Sequence, residues 1–492
     1  MEISTFSKFR LTSLSHLSTL GWSLFFLLLV PLYFYHLLWR EGVSLIWLHV
    51  AITSLYLVAA IVLMLEAVCM VFWWRNPRIR YKRGFVQGHW GDRLQMPLPK
   101  HRLDTLILED AQSLPKCSII VVAYLPNEQD IILETLEHIL QTVIRPVGGL
   151  EVILAYNTPQ SLPVEAELWE LAYQYPELRL LLVKDSHSKA ENLNRALELV
   201  TGEMTCIFDS DHLPAADCLI RAWAWLEQGA YDVVQGRSII RNRQENWVTR
   251  WIGTEFDCLY GVSHPGRSLL SNAALFGGSN GYWRTTALQN IGFQVGMLTE
   301  DIDATLRCLR AGIKIVNDPE IFSYELAPCD LRGFWSQRQR WAQGWLDVAH
   351  RYQFNLPFWS TLDLGQKICW LIILLYSSLF HWVAIQAIVL MVHNLIWPSP
   401  LPDWFWLYAC SVSVLSLFSN YLQAIIANGR SLWQKEALFY TLVSPFFFGI
   451  KTLIVFVALY NVIQGRRQWV VTRRSSATSS KKKVLASLSK LS

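Results

Sequence analysis

Met204-Thr205-Cys206-Ile207-Phe208-Asp209-Ser210-Asp211-His212 runs five mostly apolar residues into two carboxylates separated by one residue. The first five read as a buried strand, so both acids are expected to emerge at its C-terminal end. In open α/β sheets that end is where ligands bind. Four other stretches have the same character: Cys117–Ala123, Glu151–Ala155, Leu178–Val183 and Asp232–Gln235. Between the first two, Ile132, Leu136 and Ile139 repeat at helical spacing. Strand alternating with helix predicts an α/β layer fold with buried parallel strands. Two acids this close repel each other unless a divalent cation neutralises them. Mg2+ or Mn2+, with diphosphate oxygens completing its shell, fits Asp209 and Asp211 as ligands. A polar turn or a helix cap is the plainer alternative for an isolated Asp-x-Asp.

Outward from this block the composition changes. The 492 residues are 52% hydrophobic and 17% charged, a low charge content for a soluble protein. The deficit is concentrated in residues 20–74 and 368–464, while 75–350 has an ordinary mixture. We therefore expect a transmembrane hairpin in 1–80, an α/β domain in 81–350, an interfacial helix and further spans in 351–466, and a basic tail in 467–492. Leu20–Trp39 has the length needed to cross ~30 Å of hydrocarbon, and Ser44–Trp74 follows at once, which disfavours a cleaved signal peptide. Leu356–Asp363 is expected as an amphipathic helix along the interface. Ile368–Trp397 and Trp404–Asn428 are the next spans. Ala437–Gln464 contains Pro445 and Lys451, and we expect it to be broken by Pro445, re-entrant or split in two.

That expectation comes from charge. Arg75, Arg78, Arg80, Lys82 and Arg83 follow the second apolar run, and Arg466, Arg467, Arg473, Arg474 and Lys481 to Lys483 follow the last. Basic clusters mark the cytoplasmic side, which predicts a multi-pass protein of the cell membrane with its central domain and tail cytoplasmic. Such clusters also hold lipid headgroups. A net charge of +4 does not argue for nucleic acid. The nine cysteines show no Cys-x-x-Cys spacing, so no zinc site is expected.

Four more motifs lie in the central block. His187-Ser188-Lys189-Ala190-Glu191-Asn192 opens a helix whose N-terminus and lysine favour an anion, or is an ordinary capped start. Phe276-Gly277-Gly278-Ser279-Asn280-Gly281 lets backbone approach a ligand closely, or is a plain turn. Thr299-Glu300-Asp301-Ile302-Asp303 clusters acids at a helix start, where the dipole favours them. Its functional reading makes Asp301 a general base. Gln337-Arg338-Gln339-Arg340-Trp341 joins a guanidinium suited to diphosphate oxygens to an aromatic plate, or is an amphipathic helix anchored by Trp335, Trp341 and Trp345.

In this order, these residues resemble the membrane-embedded processive branch of glycosyltransferase family 2, which includes cellulose, curdlan and hyaluronan synthases and related lipid glucosyltransferases. The resemblance spans residues 117–345. It implies a GT-A, Rossmann-like nucleotide-sugar domain that inverts the anomeric carbon, with Asp301 as catalytic base and Asp209 and Asp211 holding the metal. On the donor side it places Ala123, Tyr124, Glu128, Lys189, Asp209, Gln337 and Arg340, and on the acceptor side Gly278, Ser279, Glu300 and Trp341. Trp469-Val470-Val471-Thr472-Arg473-Arg474 is similar to the gating loop of cellulose synthases. Where the family shows an Asp pair after the second strand, this chain has Ala155-Tyr156-Asn157-Thr158. Asn157 still offers an amide to a nucleobase.

The implied activity is transfer of a hexose from a nucleotide sugar, UDP-linked, to a growing β-linked polysaccharide, with an accessory export subunit as a further partner. Transfer to a membrane lipid of the diacylglycerol type and an inactive nucleotide-binding scaffold are the alternatives.

Overall fold

A computed structural model describes residues 21–22, 24–75, 114–227, 230–427 and 434–465. The tail motif at Trp469–Arg474 and the basic residues from Arg78 to Arg83 lie outside them.

Helix α1 (Val30–Arg40) and helix α2 (Ile46–Arg75) lead into the central block. There β1 (Cys117–Tyr124), α3 (Ile132–Thr142), β2 (Leu150–Asn157), α4 (Val164–Gln174), β3 (Leu178–Leu182), α5 (Lys189–Leu197) and β4 (Met204–Asp209) alternate. Strand β5 (Leu213–Pro214), α6 (Cys218–Leu226) and β6 (Val233–Ile240) follow. A helical run then joins α7 (Trp247–Cys258) to α8 (His264–Ser271) through a π-helical turn at Leu259–Ser263. Strand β7 (Gly281–Arg284), α9 (Thr285–Ile291), α10 (Glu300–Arg310), β8 (Ile315–Glu325) and α11 (Leu331–Tyr352) complete the block. The C-terminal helices are α12 (Leu364–Leu375), α13 (His381–Ile396), α14 (Asp403–Ala427) and α15 (Lys435–Ile463).

The eight strands form one sheet in the order β3-β2-β1-β4-β7-β6-β8-β5. Its first half is parallel, as expected from the apolar runs. Alternation along β1 shows why those runs are apolar throughout. Ile119 and Val121 pack into one core with Leu136 and Ile139 of α3, whereas Ile120 and Val122 pack into another with Leu193 and Ala196 of α5. A strand covered on both faces shows no period-2 pattern. The second half departs from expectation. Strand β6 is not flanked by parallel neighbours on both sides, because β7 runs antiparallel between β4 and β6. Strand β7 is four residues long, too short for its sequence to announce it.

Among the described residues four stretches are long and apolar enough to cross a membrane: Ile46–Phe72, Leu364–Ile396, Asp403–Ala427 and Lys435–Ile463. Phe25–Arg40 is apolar but shorter. Two expectations need correcting. Leu356–Asp363 is not an amphipathic helix, since only Leu356–Phe358 makes a single 3-10 turn. The Asp363 side chain instead caps α12 in a reciprocal box with Gln366, ending the loop there. Nor does Pro445 break the last segment, because α15 runs unbroken through it. Packing against neighbouring helices holds α15 in line on either side of the proline. Here Phe447 of α15 stacks on Trp251 of α7 at 3.7 Å and meets Phe334 of α11 at 5.3 Å. Three long helices after the central block carry the chain to the opposite face if each crosses. A cytoplasmic domain and a cytoplasmic tail therefore do not both follow from them.

Candidate active site

The C-terminal ends of β1, β2 and β4 lie side by side. Val122 pairs with Asp209 and Tyr124 with Asn157. Beyond β1 the chain turns at once, and the Glu128 carboxylate accepts the Tyr124 backbone N–H at 2.8 Å. Ala123, Tyr124 and Glu128 thus form one compact corner beside Asp209.

Lys189 is the hub of the site. Ser188 caps α5 by accepting the Glu191 backbone N–H at 3.2 Å, which places Lys189 in the first turn. Its ammonium lies 2.5 Å from Asp209 Oδ1 and 3.6 Å from Glu300 Oε1, and donates to the Gly278 carbonyl at 2.7 Å. One cation therefore draws together the strand acid, the helix-start acid and the glycine loop. The loop is fixed from below: the Gln235 amide accepts from Gly277 N at 2.7 Å and donates to the Ser279 carbonyl at 2.9 Å. Ser279 Oγ accepts the Asp209 backbone N–H at 3.0 Å.

Gly278 has φ +84°, and a Cβ there would lie 2.9 Å from Asp301 Oδ2. Both facts require glycine. We expect Gly278→Ala to cost about 1–2 kcal/mol from the backbone conformation alone, measurable as a lower thermal unfolding midpoint. An unchanged midpoint would show that the loop relaxes freely.

Asp301 is half-buried at the start of α10. Burial, together with the neighbouring Glu300 carboxylate, raises its pKa to about 7, against the pull of Lys189. Asp303 takes no part in this constellation. It is fully buried and ties α10 to α11, accepting from Arg307 Nε at 2.7 Å and Tyr352 Oη at 2.7 Å.

Helix α11 brings the Gln-Arg-Gln-Arg-Trp stretch to the same place. Gln337, Arg340, Trp341 and Gly344 recur at helical spacing and share a face. A Cβ on Gly344 would lie 2.4 Å from Thr299 Cγ2, so this face abuts the start of α10. Arg338 points elsewhere. Its guanidinium sits 4.4 Å over the Trp341 ring and meets Glu255 of α7 at 2.5 Å. Lys451 of α15 pairs with the same carboxylate. Arg338 and Lys451 outweigh burial and hold Glu255 below the usual carboxylate range.

Two of the predicted residues sit differently from expectation. Asp209 and Asp211 do not emerge together: Asp209 is partly open, while Asp211 is fully buried and accepts the Leu326 backbone N–H at 3.0 Å. Asn157 stands at the expected strand end, but its amide is engaged within the protein. It donates to the Ser186 carbonyl at 2.9 Å and accepts from Asn192 at 2.9 Å. Among the described residues no group of three or more His, Cys, Asp or Glu is placed to hold a metal. Of the two acids only Asp209 is open to a ligand, and one or two carboxylates that share a cation with phosphate oxygens, rather than a protein cage, is the arrangement a magnesium-type ion takes.

Ser210 Oγ, Thr299 Oγ1, Gln337 Oε1 and Arg340 Nε are buried polar atoms without a hydrogen-bond partner among the described residues. Such atoms are uncommon in folded proteins, and these four come from the three motifs that converge here. No motif or periodicity announced Gln235, Glu255 or Tyr260. Tyr260, in the π-helical turn, would touch a Cβ on Gly277 at 3.0 Å, and π-helical turns concentrate at functional sites. Lys451 was visible as a charge inside an apolar run, which implies a buried partner.

Residues 118–288 match the family described as glycosyl transferase family 2, and residues 205–400 match glycosyl transferase family group 2. The central block is a family 2 glycosyltransferase domain. The chain is 28% identical over 267 residues to the beta-monoglucosyldiacylglycerol synthase of Nostoc sp., covering 52% of this chain and 54% of that protein. It is 30% identical over 194 residues to the UDP-forming cellulose synthase catalytic subunit of Xanthomonas axonopodis pv. citri, covering 38% and 26%. The chain thus spans about half the length, or less, of these curated relatives. The mannosyltransferase PcManGT from Pyrobaculum calidifontis, solved with GDP-Man and Mn2+, superposes with a TM-score of 0.54 at 17% identity, covering 86% of this chain and 99% of that one. That likeness shows a GT-A fold for this block, joined here to helices long enough to span a membrane.

Proposed function

We propose that this glycosyltransferase moves a hexose from a nucleotide sugar to a β-linked acceptor at the membrane, inverting the anomeric carbon. The observation that carries the proposal is the convergence on Lys189 of Asp209, Gly278 and Glu300, beside Asp301 and the unpartnered polar atoms of Ser210, Thr299, Gln337 and Arg340. Acids, cations and unpaired donors that are costly to bury together become favourable when a charged, hydroxyl-rich ligand completes them.

In this reading Ala123, Tyr124, Glu128 and Asn157 shape the nucleoside end of the cleft. Asp209, with the buried Asp211 behind it, would hold a divalent cation, which when bound supplies neutralisation of charge on the diphosphate. The Arg340 guanidinium and the Gln337 amide bind diphosphate oxygens and stabilise charge developing on the leaving group. Gly278, Ser279 and Glu300 border the sugar and acceptor, and Trp341 offers its ring to the acceptor end. Asp301 takes the proton from the acceptor hydroxyl as that oxygen attacks the face opposite the departing nucleoside diphosphate. An α-linked donor therefore gives a β-linkage.

A base with a pKa near 7 fixes the sign of the pH dependence. Asp301 must be ionised to act, so kcat/KM should fall about tenfold per unit below pH 7 and level off above it. A profile flat down to pH 5 would remove Asp301 from the role.

The acceptor is a growing polysaccharide in our first reading, because Trp341 and Arg340 share the helix face that abuts the start of α10. A lipid acceptor is the second, favoured by the longer match to the diacylglycerol enzyme than to cellulose synthase, 267 residues against 194. Membranes incubated with radiolabelled UDP- and GDP-sugars separate these. Ethanol-insoluble, high-mass label means polymer, label extracted into chloroform–methanol means lipid, and release of no diphosphate from any sugar nucleotide would leave a nucleotide-binding scaffold.

A further inference from the structure

On the side of α10 away from Asp301, a cavity of about 620 Å³ is lined by Arg307 and Arg310 of α10, Arg351 and Tyr352 of α11, and Phe358 and Trp359 of the loop before α12. All three arginines stand in or at the last turn of their helices, where the dipole favours cations. The carboxylate bonded to them is that of Asp303, which accepts from Arg307 Nε at 2.7 Å and from Arg351 Nη1 at 3.2 Å. Arg307 is further engaged with the Ile291 and Gly292 carbonyls. Arg310 is exposed and makes no ion pair among the described residues. Three guanidiniums against one carboxylate leave an excess of two positive charges at the mouth of the cavity.

The rim is apolar and open. Phe354 is 72% exposed and Phe358 84%. Six residues beyond Phe358 the chain enters α12 at Leu364, the start of a stretch apolar enough to span a membrane. Thr361 Oγ1 donates to the Leu309 carbonyl at 2.9 Å, fixing this loop to the end of α10 and the cavity to the membrane boundary. Exposed aromatics beside unneutralised arginines at that depth match the chemistry of an anionic headgroup: rings at the interfacial level, forked donors on phosphate oxygens. We propose that this cavity binds the headgroup phosphate of an anionic phospholipid, with Arg310 and Arg351 as its ligands and Phe354 and Phe358 set among the acyl chains.

The proposal is independent of the transfer reaction and is tested without it. The full chain, purified in a neutral detergent, is titrated with short-chain phosphatidylglycerol, phosphatidylcholine or inorganic phosphate, and retained lipid is counted by native mass spectrometry. Phosphatidylglycerol should be retained in preference to phosphatidylcholine. An Arg310→Gln/Arg351→Gln double variant should weaken that retention about tenfold or more, the equivalent of one lost charged contact. Arg310→Lys should lose less, and Arg195→Gln, on an exposed part of α5, should lose nothing. Equal retention of the two lipids, retention unaffected by the double variant, or displacement of the lipid by millimolar inorganic phosphate would each overturn the assignment.

Discussion

Asp301→Asn should retain its fold and lose at least ~100-fold, and up to ~10,000-fold, of sugar transfer, the usual contribution of a positioned general base. The amide is isosteric and removes only the charge and the ability to accept a proton. Burial and Glu300 disfavour a second charge at this position, so neutralising it relieves repulsion and should not destabilise α10. The signature is a fall in kcat with donor affinity nearly unchanged, read by diphosphate release and by titration of the nucleotide sugar. The pH dependence below 7 should vanish in the same variant. Near-full transfer by a folded Asp301→Asn protein would end the assignment of Asp301 as base.

Glu255→Gln carries the second large effect, on stability. Glu255 is 4% exposed and faces Arg338 of α11 and Lys451 of α15. Removing the shared anion leaves the buried Arg338 and the half-buried Lys451 facing each other, and breaking a buried ion pair from one side costs about 3–5 kcal/mol. Lys451→Met should cost distinctly less, because it leaves the Glu255–Arg338 pair balanced. Adding Lys451→Met to Glu255→Gln should restore part of the loss. Thermal unfolding of the detergent-purified full chain reads all three. If Glu255→Gln and Lys451→Met proved equally mild, the triad would be too well solvated to matter. Transfer should fall with Glu255→Gln as well, since Arg338 covers one face of Trp341 and its release frees the ring.

Much of the site was legible because its chemistry is local. Lys189 follows a capping serine, Asp209 ends an apolar strand, and Asp301 opens a helix. Each position is set by backbone rules that operate over a few residues. Gln337, Arg340 and Trp341 share a face because a helix repeats every 3.6 residues, which needs no tertiary knowledge. Asp211 was misjudged for the same reason in reverse. Alternation along a strand says nothing of where the chain turns after its last pair, and the Leu326 N–H, 115 positions away, claims that carboxylate. Gln235 and Glu255 were invisible, since a buried polar side chain announces itself only through its partners.

By itself the sequence determined the α/β character of residues 117–325, the apolar stretches on either side and the chemical types gathered at the strand ends. Periodicity and composition are properties of neighbouring residues, and they survive without a fold. Only the tertiary structure decided that Lys189 would bridge Asp209 and Glu300, that Asp303 would serve packing while Asp301 stays at the cleft, and that α15 would pass Pro445 unbroken. Those outcomes depend on which distant groups meet in a low-dielectric interior. There a charge must find its counter-charge and a helix its packing partners, wherever along the chain they lie.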